Sequence, residues 1–352
     1  MKNFDYVRPA SIAEAVAAAA EPGAAFLAAG TNLLDLMKAG VARPDRLVDI
    51  SRLPELERIE RLPGGGFRIG AGVRNAALAH DPDFARAFPA VAEALLSGAS
   101  AQLRNAATVG GNLMQRTRCG YFYDVASACN KRQPGAGCDA RDGENRLHAV
   151  LGWSPSCIAV HPSDFCVPLV ALDATVEIAG KAGSRAVPVE AFHRLPEAGP
   201  EKETVLEPGE MIVALQLPAE ATRFAAHARY LKLRDRTSYA FAIVSAAAAL
   251  DLDKGRIRAA RLALGGVAAK PWRARAAEAV LAGATPGKAA FERAAEAALA
   301  DATPSGGNGF KIDLARRLLV RALSLAAAGT PARVPALPAS PFSSAPRAFE
   351  DA

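Results

Sequence analysis

Cysteine residues carry the clearest chemical signal in this sequence of 352 residues. The chain has only five, and they are crowded into one stretch: Cys119, Cys129, Cys138, Cys157 and Cys166. Thiolates bind zinc and iron–sulfur clusters, and pairs of thiols form disulfides. Disulfide scaffolds are small and rich in cysteine throughout, and an odd number leaves one cysteine unpaired. The crowding therefore indicates a metal site or a stapled loop.

The spacing between the cysteines does not identify a metal. Zinc sites usually contain cysteine pairs two to four residues apart, and ferredoxins repeat such close pairs, but the shortest gap here leaves eight residues between cysteines. Basic residues surround the cysteines and can offset the negative charge of a thiolate-bound cluster: Arg116, Arg118, Lys131, Arg132, Arg141 and Arg146. These features favour an iron–sulfur cluster, while zinc, a disulfide and free thiols stay open.

Other polar residues of this stretch receive less specific interpretations. Cys166 begins the apolar run 167–172, so we interpret it as a buried free thiol outside the metal set. His148 and His161 could ligate a metal, but we interpret both as hydrogen-bonded loop residues. The loop 134–137 (Pro-Gly-Ala-Gly) can wrap a compact object, and a long irregular insert in a compact domain is usually functional.

Two glycine turns precede the cysteine stretch and could hold a phosphate. The first, within residues 25–38, predicts a strand, a tight turn at Gly30 and a helix for which Thr31 and Asn32 are good N-cap residues. The second is the segment 108–112 (Thr-Val-Gly-Gly-Asn), in which the glycines let backbone N–H groups approach an anion. Two such turns suggest opposite sides of one pyrophosphate, although a G-x-G-x-x-G nucleotide fingerprint is not found after a convincing strand.

The elements that must position these residues follow an alternating pattern in the first part of the chain. Ser11 and Glu14 form a capping box for an alanine-rich helix, with strands predicted over 4–7, 46–49 and 67–72 and a helix over 88–97. Residues 176–220 supply further strands. The last part predicts a strand over 239–250, a returning strand over 257–264, and three helices near 274–281, 288–299 and 313–327. In the last helix an apolar stripe is predicted to face the core: Leu314, Leu318, Ala322 and Leu325.

Composition describes a globular chain with an ordinary surface. Hydrophobic residues make up 51%, and Lys plus Arg number 42 against 36 Asp plus Glu, without a basic run. With aromatic residues at only 6%, a nucleic-acid interface is not expected. The alanine runs are too short for a membrane span, and the N-terminus lacks the apolar core of a signal peptide. The expected compartment is the cytoplasm, or the periplasm by export together with a partner that carries the signal.

Several motifs together resemble a known family. The segments AAGTNLLDLMK, ATVGGNL and HPSD followed by LVALDA resemble the FAD-binding subunit of molybdenum hydroxylases, the xanthine dehydrogenase and carbon monoxide dehydrogenase superfamily. The cysteine insert, with RCGYFYD and ACNKR, looks more specifically like the FAD subunit of periplasmic aldehyde oxidoreductase. The resemblance runs from about residue 4 to about 327. Each phosphate motif is moderately specific by itself, whereas their order with the insert is highly specific.

The resemblance implies an α+β fold. It implies a two-part FAD-binding domain of the vanillyl-alcohol oxidase type over 1–222 with an iron–sulfur insert at about 115–160. A smaller C-terminal domain of a sheet and three helices would cover 225–328, and a Pro/Ala-rich tail 329–352. The metal ligands of a [4Fe–4S] cluster would be Cys119, Cys129, Cys138 and Cys157. The residues implied to bind FAD are Phe26, Leu27, Ala28, Ala29, Gly30, Thr31, Asn32, Leu33, Leu34, Thr108, Gly111, Asn112, Asp164, Ile212 and Lys232.

The function implied is electron transfer rather than substrate chemistry. A molybdenum-cofactor-binding large subunit would oxidise the substrate, an aldehyde, and a small [2Fe–2S] subunit would pass electrons to this FAD and on to an external acceptor. Many relatives without the insert use NAD, so the insert puts NAD use in doubt here. Two alternatives are a stand-alone FAD oxidase with a zinc- or disulfide-stapled loop, and a non-enzymatic module that binds metal through the cysteine loop.

Overall fold

A small parallel sheet begins the chain. The computed structural model describes residues 1–332, and the tail predicted from residue 329 lies outside them from residue 333 onward. The sheet has the order β1-β3-β2 and is accompanied by two helices: β1 (Asp5–Val7), α1 (Ile12–Ala19), β2 (Ala24–Leu27), α2 (Leu33–Lys38) and β3 (Arg46–Asp49). The capping box is confirmed, because Ser11 Oγ accepts from the Glu14 N–H and the Glu14 carboxylate accepts from the Ala10 N–H.

An antiparallel sheet of five strands follows, with the order β4-β5-β8-β6-β7. Its strands come from two separate parts of the chain: β4 (Ile59–Arg61), β5 (Phe67–Gly70), β6 (Thr175–Gly180), β7 (Gly183–Pro188) and β8 (Met211–Leu217). The chain between β5 and β6 carries seven helices, namely α3 (Asn75–His80), α4 (Pro82–Ala87), α5 (Pro89–Ser97), α6 (Ala101–Ala106), α7 (Val109–Leu113), α8 (Gly120–Tyr123) and α9 (Cys166–Ala171). The central strand β8 pairs with β5 and with β6, so the sheet joins the strands that precede the helical region to those that follow it.

The cysteine-rich segment between α7 and α9 contains little regular structure. Only α8 and a 3-10 helix at Asp139–Arg141 interrupt it among the described residues. Its far end is nevertheless buried, because Val150 and Leu151 belong to the core of the C-terminal part of the chain. The segment is therefore tied to both parts of the molecule.

A second antiparallel sheet and three helices form the C-terminal part. The sheet has the order β12-β11-β10-β9. The short helix α10 (Val189–Phe192) precedes β8 and is not part of this sheet. The C-terminal part contains the strands β9 (Ala228–Leu233), β10 (Val244–Asp253), β11 (Arg256–Gly265) and β12 (Trp272–Arg273), followed by the helices α11 (Arg275–Leu281), α12 (Lys288–Ala298) and α13 (Phe310–Ala328). Further 3-10 helices lie at Pro54–Leu56, Pro196–Ala198 and Ala219–His227.

Strand β10 is buried on both faces. Its even-numbered residues 244–250 pack in the core under α11–α13, while Ala247 and Ala249 pack in the core around α5 and α9. Successive side chains of a strand point to opposite faces, so a run of alanine lets two cores approach one strand closely. This strand therefore fixes the C-terminal part against the first.

Two predictions of local structure are wrong in detail. The strand expected from Tyr239 begins only at Val244, because Tyr239 has a left-handed backbone (φ 51°) that a strand cannot contain. The predicted core-facing stripe of α13 is only partly right: Ala322 is fully buried, and Leu314 and Leu318 are half-buried against the same core. The other fully buried residues of this helix are Lys311, Ala315, Leu319, Leu323 and Ala326. Among residues 1–332, none of the helices has both the length and the apolar character needed to cross a bilayer.

Candidate functional site

The first glycine turn has the predicted strand–turn–helix form. It connects β2 to α2, and Gly30 has φ +72°, where a Cβ would also lie 2.7 Å from Leu34 Cδ1. Asn32 occupies the N-cap position, but its side chain makes no capping hydrogen bond; Asn32 Oδ1 accepts from the Arg116 N–H (3.0 Å). The amide therefore joins this turn to the start of the cysteine segment.

The second glycine turn is the start of α7. Thr108 is its N-cap, and Thr108 Oγ1 accepts from the Gly111 N–H. A Cβ at Gly110 would lie 2.8 Å from Ala71 Cβ, so this glycine is required by packing. A Cβ at Gly111 would meet a single described atom within 4 Å, Thr108 Oγ1 at 3.0 Å, because Gly111 lies on a cavity. The two glycines therefore serve different purposes.

The HPSD segment is hydrogen-bonded to the second turn. Ser163 Oγ and Gln115 Nε2 both donate to Asn112 Oδ1, at 2.7 Å and 2.6 Å. Asp164, the next residue, accepts from Lys232 Nζ (2.7 Å) and from the Tyr230 hydroxyl (2.6 Å). Asp164 and Lys232 are both buried, so the tertiary fold brings a sequence-distant carboxylate and ammonium together as a buried ion pair.

A cavity of about 650 Å³ lies where these parts meet. Its volume is in the range of cofactor sites. Six of the residues expected to bind FAD line it: Thr31, Asn32, Gly111, Asn112, Asp164 and Lys232. The small residues Gly98 and Ala99 form another part of its wall. Both glycine turns, the HPSD segment and β9 thus open on a single space.

The remaining expected residues are not part of that wall within residues 1–332. Most of them form the strand, turn and helix that support it: Phe26, Leu27, Ala28, Ala29, Gly30, Leu33, Leu34 and Thr108. Ile212 lies in β8 and is 5% exposed, in the core that contains α3–α5 and α9. These positions stay predictions as FAD contacts.

The cavity wall contains buried polar atoms that lack a hydrogen-bond partner among residues 1–332. They are Asn32 Nδ2, Asn75 Oδ1, Arg118 Nε, His148 Nδ1, His161 Nε2 and Ser245 Oγ. Buried polar groups are costly unless they are hydrogen-bonded, so a concentration of unpaired donors and acceptors around one space indicates a polar ligand there. Sequence reasoning missed Asn75 and Ser245 because neither lies in a recognisable motif.

The four cysteines expected to bind metal lie near one another. Cys129 and Cys138 form an isolated antiparallel bridge, and Cys119 packs with Cys129 in a small apolar cluster. All are free thiols. Burial raises the pKa of Cys119 to about 11 and also raises the pKa of Cys138 and Cys157, with neighbouring cysteines adding to each shift. Three segments distant along the chain therefore deliver thiols to one region.

Among the described residues, the closest group of possible metal-ligand atoms is not the expected set of four cysteines. A zinc–sulfur bond of about 2.3 Å places two sulfurs about 3.8 Å apart. Within residues 1–332 the set of three possible ligand atoms within 4.8 Å of one another is His161, Cys166 and His193, not three of these four cysteines. Burial raises the pKa of Cys166 to about 12 and lowers the pKa of both histidines, so this trio is held neutral.

Cys119 connects the two sites. It lines the cavity, and its sulfur lies 3.2 Å from Nε2 of His148, which lines the same cavity. Burial lowers the pKa of His148. The interpretation of His148 as a hydrogen-bonded loop residue is confirmed, and its partner is one of the thiols.

Comparison with known proteins agrees with this geometry. Residues 2–220 match the family described as FAD binding domain in molybdopterin dehydrogenase, and residues 229–326 match the CO dehydrogenase flavoprotein C-terminal domain. The chain is 47% identical over 330 residues to the aldehyde oxidoreductase FAD-binding subunit PaoB of Escherichia coli (strain K12), covering 93% of this chain and 99% of that protein.

Solved structures show the same architecture. Quinoline 2-oxidoreductase from Pseudomonas putida 86 aligns with a TM-score of 0.71 and 27% identity, over 93% of this chain and 98% of that chain. Reconstituted CO dehydrogenase from Oligotropha carboxidovorans aligns with a TM-score of 0.74 and 27% identity, over 93% of this chain and 99% of that chain. The chain therefore belongs to the FAD-binding medium subunits of the molybdenum hydroxylase family.

Proposed function

We propose that this chain is the electron-transfer subunit of a molybdenum-dependent aldehyde oxidoreductase and carries both FAD and a [4Fe–4S] cluster. The observation that carries the proposal is the single cavity whose wall includes both glycine turns, the Asp164–Lys232 pair and the thiol Cys119. The aldehyde as substrate class comes from the name of the relative that is 47% identical. The proposed division is a FAD-binding domain over 1–222, a C-terminal domain over 225–328 and a tail.

The residues of the cavity fit FAD. The open side of Gly111 leaves room for a ligand to approach the backbone of the second turn closely, because no side chain intervenes there. Asn32 Nδ2 offers an unpaired buried donor on the opposite turn. The buried ammonium of Lys232 lies in the cavity wall. This positive charge would stabilise negative charge on a reduced flavin.

The cysteine set fits an iron–sulfur cluster better than zinc or a disulfide. All four thiols are free within the described residues, and no three of them form a close ligand group of the kind that a single tetrahedral ion would need. Lys131 lies near Cys157 and opposes the rise that burial causes in the pKa of this thiol, although its ammonium also pairs with Glu203 (3.0 Å). Cys119, Cys129, Cys138 and Cys157 would hold the cluster, which would accept and return single electrons.

Partner subunits would complete the enzyme. The oxidation of the aldehyde would take place outside this chain. A molybdenum-cofactor-binding large subunit would carry out that reaction, and a small [2Fe–2S] subunit would deliver the electrons. An external acceptor would then take them from this chain.

Cofactor analysis of the full chain tests the proposal. We expect anaerobically purified protein to contain about one FAD and about four irons per chain, with broad iron–sulfur absorbance beside the flavin bands. Cys138→Ser should lose iron and keep FAD, whereas Cys166→Ser, outside the proposed ligand set, should keep both. Zinc in place of iron would refute the cluster, and absence of FAD from protein isolated with its partners would refute the flavin site.

A further inference from the structure

A histidine side chain joins the thiol set to the flavin cavity. His148 Nε2 lies 3.2 Å from Cys119 Sγ, and both residues line the cavity. The backbone N–H groups of Tyr121 and Phe122 also interact with this sulfur. The imidazole of His148 therefore adds to the backbone hydrogen bonds on the sulfur of Cys119, the expected cluster ligand that lines the proposed flavin cavity.

The position of His148 is imposed by the C-terminal part of the chain. Its carbonyl oxygen accepts from Lys311 Nζ (2.8 Å) and Asn308 Nδ2 (3.0 Å), and both donors are fully buried. Its own N–H donates to the Asn145 carbonyl (3.0 Å). With its backbone held on both sides, the ring has little freedom to leave the sulfur.

The chemistry of the ring gives the direction of the hydrogen bond. Toward a thiolate, Nε2 must carry the hydrogen and donate, which leaves Nδ1 as an acceptor. His148 is 8% exposed, and its Nδ1 has no hydrogen-bond partner among residues 1–332. The ring therefore presents its second nitrogen without a protein partner while it contacts Cys119 with the first.

We propose that His148 is a positioning residue that raises the reduction potential of the cluster through the Nε2–H donor on Cys119. The inference rests on the proposed function, because it needs the cluster. With a cluster bound, the Nε2–H donor 3.2 Å from Cys119 Sγ would stabilise the additional negative charge that reduction places on the thiolate sulfurs, and would therefore favour the reduced form. His148 thereby favours transfer of single electrons from flavin to cluster.

Redox titration of anaerobically purified full-length protein, monitored by electron paramagnetic resonance, tests this role. His148→Leu removes the donor at similar size, and His148→Gln retains an amide N–H. We expect a lower midpoint potential of the cluster in His148→Leu, a smaller decrease in His148→Gln, and a smaller change for the flavin than for the cluster. His227→Gln is the control, because His227 contacts the Ala326 carbonyl at the far end of α13.

Iron content separates failure of this inference from failure of the proposed function. Wild-type protein without iron would refute the cluster itself. Full iron and an unchanged midpoint potential in His148→Leu would overturn the tuning role alone. Loss of iron from His148→Leu with retention in His148→Gln supports the need for an N–H donor. Loss of iron from both variants would assign His148 to folding of the insert and would overturn the inference.

Discussion

Individual side chains in the cavity are arranged around one buried ion pair. Asp164 accepts from both Lys232 and the Tyr230 hydroxyl, and Lys232 also donates to the Ser97 carbonyl (3.2 Å). A buried pair of this kind is expensive to break from one side, because the remaining charge loses its partner. Asp164 and Lys232 are therefore expected to contribute to the stability of the folded chain as well as to FAD binding.

Removal of both partners should cost less than the sum of the two single removals. Lys232→Met leaves the Asp164 carboxylate buried beside Tyr230 and should lower the free energy of unfolding of the apoprotein by about 3 kcal/mol or more. In Lys232→Met/Asp164→Asn the loss should be smaller than the sum of the single losses, and FAD content should fall in every variant. Urea unfolding in a double-mutant cycle measures this coupling. Additive losses would contradict a direct interaction.

Acid should destabilise the chain through His193. Burial lowers its pKa from 6.5 to about 4, and its Nε2 lies 2.9 Å from the Leu113 carbonyl. Between these pH values the unfolded chain binds more protons than the folded chain, so stability rises with pH from about 4 to about 6.5. The effect of this group amounts to at most about 3 kcal/mol.

Urea unfolding as a function of pH measures that slope. His193→Gln retains a donor for the Leu113 carbonyl but does not titrate, so its stability should vary less over the same interval. His80→Gln, a substitution at an exposed histidine, serves as the control. An identical slope in His193→Gln and wild type would show that other groups cause the acid loss.

Among the elements, helix α7 contains two adjacent glycines with different roles: one is needed for packing, and the other is proposed to make room for the cofactor. Gly110 abuts Ala71, while Gly111 opens on the cavity. Gly110→Ala should therefore lower apoprotein stability by about 1–3 kcal/mol, because backbone and side chain of Ala71 must shift. Gly111→Ala should change stability by less than about 1 kcal/mol but weaken FAD binding at least about tenfold.

Thermal unfolding and FAD titration of the two variants distinguish these roles. The variants differ by the same single methyl group one residue apart, so each controls for the other. Equal FAD affinity in Gly111→Ala and wild type would exclude close contact between this turn and the cofactor.

For the whole molecule, the cysteine segment is held between two parts of the chain. Asn308, fully buried before α13, donates to the His148 and Ala149 carbonyls, each at 3.0 Å. Lys311 donates to the Leu147, His148 and Gly266 carbonyls. The C-terminal part therefore supports the proposed cluster site from behind, although it contributes no cysteine.

Loss of this support should affect the insert. Asn308→Ala leaves two buried carbonyls with fewer donors and should cost about 1–3 kcal/mol, together with a lower ratio of iron to protein. Ser324→Ala, at an exposed position on α13 where the hydroxyl donates to the Val320 carbonyl, should change neither value appreciably. Unchanged unfolding free energy and iron content in Asn308→Ala would show that the insert folds independently of α13.

Local sequence was sufficient for the parts of the fold that depend on neighbours in the chain. The Ser11–Glu14 capping box, strand β3, the turn at Gly30 and the helical start at Thr108 all follow from short-range chemistry and are present. Side-chain hydrogen bonds over three residues and a positive φ at glycine need no distant partner. The family motifs could be read for the same reason, because they are short and contiguous.

Contacts between distant residues were decided only by the tertiary structure. Lys232 meets Asp164 across 68 positions, and Lys311 meets His148 across 163. Burial of the two lysines does not follow from their neighbours in the chain, since a lysine in a strand or helix is usually exposed. The choice of fully buried residues on α13 has the same origin, because the face that carries Ala315, Leu319 and Leu323 packs in one core with β10. Burial by remote elements, rather than chain neighbours, determined which polar atoms face the cavity.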